Sequence, residues 1–75
     1  MILYVSDGVA HRAPTFDECG KVARAVDVAD DPLAKTVYRV VMRDGDDFFT
    51  LSLALACNAL NPIAGAIAVH VMEIV

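Results

Sequence analysis

No basic stripe runs through this chain. Six Lys and Arg stand against ten Asp and Glu, a formal net charge of −4, which disfavours any dominant contact with a nucleic-acid backbone. Cysteine is scarce. Cys19 and Cys57 are the only two, too few for a disulfide scaffold, and with nothing pointing to an oxidising compartment both read as reduced, small core residues. His11, Cys19, Cys57 and His70 have the chemistry to bind zinc, but none falls in a CxxC or HxxxH pair, so no metal is expected. None of Gly8, Gly20, Gly45 and Gly65 sits in a phosphate-binding pattern, and no serine occupies a nucleophile elbow. These absences disfavour an enzyme and give no reason to expect a cofactor. The apolar run Met1–Val5 has no basic region before it and meets Asp7 almost at once, so no secretory signal is expected and the cytoplasm is the expected location.

What the chain does have is β-patterning around one acidic turn. Thr36 to Leu55, TVYRVVMRDGDDFFTLSLAL, alternates apolar and polar residues on both sides of Asp44-Gly45-Asp46-Asp47 and reads as a β-hairpin. Pairing Arg43 with Phe48 puts Met42 opposite Phe49, Val40 opposite Leu51 and Tyr38 opposite Leu53, all on a core face. The reverse face, with Val37, Arg39, Val41 and Arg43, is expected to meet water. Arg39 and Arg43 there offer a small anion or nucleic-acid contact, against the simpler and favoured reading of a solvated sheet face. The clustered turn carboxylates lack the length and distal glutamate of a calcium loop and read as a solvated turn.

Around the hairpin, Met1 to Val5 reads as a strand buried on both faces, and Val9–Ala13 as a short return strand limited by Pro14. Thr15-Phe16-Asp17-Glu18 forms a capping box, predicting an amphipathic helix from Phe16 that buries Phe16, Cys19, Val22, Ala23 and Val26 and ends between Asp27 and Asp30. Ala56–Pro62 allows one helical turn. After a bend at Gly65, Ala66–Val75 suits a strand by its β-branched residues, while Asn61-Pro62 also suits a helix start, leaving Pro62–Val75 open between the two. Together these predict one domain over residues 1–75, of α+β class: a small mixed or antiparallel sheet with a central hairpin and one amphipathic helix on one face.

The hydrophobic share, 57%, is more than a single small core hides. A partner surface is the simplest cover, so the expected function is a non-catalytic protein-interaction or self-associating module, with Ile67, Val69 and Val71 of the last strand as candidate interface residues. The alternative is a small ligand-binding or catalytic protein using His11, Cys19 or His70. A further alternative is membrane association through Leu51–Met72, which contains no Asp, Glu, Lys or Arg; Ser52, Asn58, Asn61, Pro62 and His70 within it argue against insertion. The capping box yields a direct test: Thr15→Ala should lower stability by about 1 kcal/mol, read from the denaturant midpoint.

Overall fold

A computed structural model describes residues 1–12 and 24–75. The described residues form a six-stranded sheet and one short helix: β1 (Ile2–Ser6), β2 (Val9–Arg12), β3 (Arg24–Asp27), β4 (Thr36–Met42), β5 (Asp47–Thr50), α1 (Leu53–Ala59) and β6 (Ala66–Ile74). The strand order is β3-β1-β2-β6-β4-β5. Two antiparallel trios, β3-β1-β2 and β6-β4-β5, meet at the parallel pair β2–β6, where Val9 lies opposite Glu73 and Ala10 opposite Ile74. This is a small mixed sheet in an α+β chain, curled so far that its two outer edges touch through side chains.

Local chemistry explains both tight turns. Asp7 and Gly8 have φ of 51° and 81° between the paired Ser6 and Val9, the Asp-Gly type I′ geometry that matches strand twist. The second turn is tighter than the sequence suggests. The Met42 amide donates to the Asp46 carbonyl at 2.8 Å, Gly45 takes φ 94°, and the Asp44 carboxylate accepts from the Asp46 amide at 3.0 Å. The loop is therefore Arg43-Asp44-Gly45 alone, and Asp47 belongs to the strand.

That change shifts the register by three residues from the expected one. Val41 faces Asp47, Val40 faces Phe48, Arg39 faces Phe49 and Tyr38 faces Thr50. Because side chains alternate with period two, an odd shift exchanges the faces of one arm relative to the other. Phe49 consequently shares a face with Arg39, not with Met42. The second arm also ends early: Ser52 caps α1, its hydroxyl accepting from the Leu55 amide at 3.1 Å, so Leu53 and Leu55 are helical.

Both faces of β4 are buried, which corrects the expectation that Val37 meets water. On the inner, concave face Val37 joins Leu3, Ala10, Met72 and Ile74 in one cluster, with Phe49 and Leu51 against it. On the outer face Val40 joins Ala56, Ala59 and Ala66, with Tyr38, Met42, Phe48 and Val69 against it. The helix covers that outer end. Its inward stripe is Ala56 and Ala59, three residues apart, which leaves Cys57 exposed and corrects its reading as a core thiol.

Other expectations fare variously. Most of the helix expected from Phe16, with its capping box and Cys19, lies outside the described residues, but its expected last turn, Arg24–Asp27, is a strand pairing with β1. Antiparallel pairing with β1 supplies backbone hydrogen bonds that helical spacing alone did not anticipate. β1 is internal to the sheet, as expected, yet only Leu3 is fully buried and Ile2 is half exposed, since no described element covers its outer side. The strand reading of the last segment holds, over Ala66–Ile74. Leu3→Ala should destabilise the fold by roughly 2–5 kcal/mol, whereas Leu33→Ala, at a side chain 84% exposed, should change it by less than about 0.5 kcal/mol. Chemical denaturation of the two variants checks this.

Candidate functional site

The inner face of the sheet has two ends of different character. Pairing places Leu3, Val26, Val37 and Ile74 at one end and Arg24, Arg39, Asp47 and His70 at the other. The first end is packed shut by the main apolar cluster. At the second end the sheet opens into a cavity of about 570 Å³, walled by Val5 of β1, Arg24 of β3, Arg39 of β4, Phe49 of β5, and His70 and Met72 of β6, with the Asp7-Gly8 turn at its side.

One carboxylate organises this end. Asp47 accepts two hydrogen bonds from Arg24, Nη1 to Oδ2 at 2.8 Å and Nη2 to Oδ1 at 2.6 Å, and a third from Arg39, Nε to Oδ2 at 2.8 Å. The Arg24–Asp47 fork is bidentate, the geometry that best matches guanidinium to carboxylate. Arg24 also lies over the Phe49 ring, 5.3 Å from its centroid, within cation–π range. Since β3 and β5 are the outermost strands of the sheet, these contacts join its two edges.

Electrostatics follow from that geometry. The hydrogen bonds from Arg24, and after them those from Arg39, hold the Asp47 carboxyl below the usual carboxylate range against the opposing effect of desolvation. The same hydrogen bonds, donated to Asp47, raise the already high pKa of Arg24. Both Asp47 oxygens are engaged and its basicity is depressed, so it serves as an anchor for the two cations and not as a proton acceptor. Two guanidinium groups share a single carboxylate, leaving one positive charge in excess among the three.

Comparison of the chain with protein-family models, with curated proteins and with solved structures finds no match.

The structure separates the residues that the sequence singled out. His70 lines the cavity, beside Arg39 in the β4–β6 ladder. His11 pairs with Tyr4 on the other face of the sheet, away from His70, and Cys19 lies outside the described residues. Among the described residues no three His, Cys, Asp or Glu side chains converge as metal ligands. Ile67 and Val71 are 60% and 69% exposed, but Val69, between them, packs against the cluster under α1. Arg43 sits in the hairpin loop, and only Arg39 of the expected pair reaches the cavity. Arg24 and Asp47 were missed because one was placed on a helix and the other in a turn. The odd register that brings Asp47 beneath Arg39 is set by Gly45, a single-residue signal.

A second surface lies outside the sheet. Leu53 and Leu60 flank the buried Ala56–Ala59 stripe on one shoulder of α1 and Leu55 on the other, all about half exposed, and Ile63 in the following turn is almost wholly so. No helix among the described residues is long and apolar enough to cross a membrane. Leu51–Met72 instead divides into α1, a turn closed at Gly65 and most of β6.

The Asp47 linkage gives a pH test. A depressed folded-state pKa contributes stability that is present above the ordinary carboxylate pKa and lost as pH falls through the folded value. Asp47→Asn should therefore lower the melting temperature at pH 7 and flatten its decline toward pH 2. Thermal melts of the wild type and the variant across that range check both parts.

Proposed function

We propose that this protein is a non-catalytic interaction module that self-associates through the apolar surface of α1 and the segment after it. The observation that carries the reading is the set of large aliphatic side chains left in solvent there: Leu53, Leu55, Leu60, Ile63 and Ile67. A cluster of this kind on so small a domain marks a contact surface. The two alanines that α1 turns inward let it lie close on the sheet, so its leucines face outward instead of completing the core.

A second copy is the occupant that the charge pattern favours. A two-fold contact brings each patch against itself, and Leu51–Met72 contains no Asp, Glu, Lys or Arg to repel its own image. The acidic residues that give the chain its net charge lie elsewhere. Ile67 and Val71 of β6 extend the surface along the strand, while Val69 supports it from beneath. The exposed, unpaired thiol of Cys57 suits a reducing compartment, in keeping with a cytoplasmic location.

Sedimentation equilibrium from micromolar to millimolar concentration tests the reading. The wild type should shift from monomer to dimer mass, and Ile63→Asp, which alters a side chain 96% exposed, should weaken the dimer by at least roughly tenfold while leaving the thermal midpoint of the monomer unchanged. A wild type that stays monomeric throughout would remove the reading.

A further inference from the structure

The cavity at the polar end of the sheet touches the proposed contact surface at Val71 but is lined by none of the α1 residues, and its chemistry points to a ligand of its own. We infer that it binds a small organic oxyanion, a carboxylate or phosphate group carried on a compact apolar body. Four features converge on that class.

First, the donors are available. Arg39 spends only its Nε–H on Asp47, and its two terminal amino groups make no hydrogen bond among the described residues. These groups are the planar, charged donors that recognise carboxylate and phosphate oxygens in pairs. His70 stands directly across the ladder from Arg39 and lines the same cavity, adding an imidazole to the donor set.

Second, the cations are held in place before any ligand arrives. Asp47 fixes the Arg24 fork and the Arg39 Nε, and Phe49 supports Arg24 from below. Preorganised side chains lose little further rotamer freedom on binding. Third, the charge is polarised, with the Arg24 and Arg39 guanidinium groups around Asp47 on one side of the cavity and the Asp7 carboxylate on the other. The Asp7 carboxylate on the neighbouring turn confines the favourable potential to the side where Arg39 and His70 stand. With Asp7 counted, the formal charges around the cavity balance, so an anion settles on the Arg39 and His70 side and not in the cavity at large.

Fourth, the space has a second, apolar half. Val5, Phe49 and Met72 line it, and its volume of about 570 Å³ lies within the span of sites that take small organic molecules. Bare inorganic ions would leave those walls unused. An aryl or short branched group attached to the oxyanion would bury them.

Titration calorimetry and ¹H–¹⁵N correlation spectra of the full chain with phenyl phosphate and with benzoate test the assignment, and the tighter of the two probes identifies the head group. The expected result is saturable binding of at least one probe, with shift changes at Arg39, Phe49 and His70. In Arg39→Gln that binding should weaken by about tenfold or more, the loss of a charge-assisted hydrogen-bond pair. His70→Gln, at an exposed position that leaves the Asp47 bridges intact, should weaken it several-fold while keeping the spectrum of the folded protein. Failure of both probes to saturate overturns the inference, as does affinity that His70→Gln and Arg39→Gln both leave unchanged. Dimer formation is read separately by sedimentation, so either result stands without the other.

Discussion

The Asp47 carboxylate is the constraint on which the shape of the sheet depends. A six-stranded sheet of short strands has two open edges, and open edges are a hazard because their amides and carbonyls invite another chain. Here the outermost strands, β3 and β5, each bring one charged residue to the inner face at the same height, Arg24 and Asp47. The bidentate contact between them, with Arg39 as a third member, closes by side chains what the backbone leaves open. Closure at one end of the sheet and apolar packing at the other then define the interior: a sealed cluster around Leu3 and Val37, and a cavity above it.

Division of labour between the two faces follows. The concave face is buried by curling, among the described residues the convex face is buried where α1 lies on it, and α1 is short and contributes alanines. A helix of this length covers Val40, Tyr38 and Val69 but not Ile2 or Val71. The chain's large hydrophobic share is therefore divided among core, cavity wall and open surface, and the open part gathers around α1. The same sequence feature, an uncharged stretch from Leu51 to Met72, was legible as an anomaly of composition. Its meaning as helix, turn and strand required the Ser52 cap, which is invisible when Phe49, Leu51, Leu53 and Leu55 are read as one alternating arm.

How far the sequence led is clearest at the hairpin. The presence of two β-arms around Asp44-Gly45, the last strand and the small mixed sheet of an α+β chain were all readable from β-branched runs and turn residues. The register was not, because an acidic turn of four candidates admits several loop lengths and only the φ of Gly45 chooses among them. Arg39 stood out in the sequence as an anion contact, but as part of a solvated pair with Arg43. Its true neighbours, Arg24 and His70, come from strands far away in the chain, and long-range pairing leaves no trace in local spacing. Arg24 was also disguised by charges three and four residues apart, which suit a helix as well as they suit a strand edge.

The parallel joint between β2 and β6 has a consequence for how the molecule is assembled. Val9 and Ala10 must wait for Glu73 and Ile74, so the interior edge of the first trio stays unpaired until the chain has been synthesised through β6. Folds dominated by such distant pairings form slowly, since chain entropy is lost before the contacts that reward it are made. During that delay the exposed edge of β2 is equally able to accept β6 from another copy. Exchange of that one strand would build an intertwined dimer with every native pairing intact, a route to dimerisation that uses the sheet's own seam.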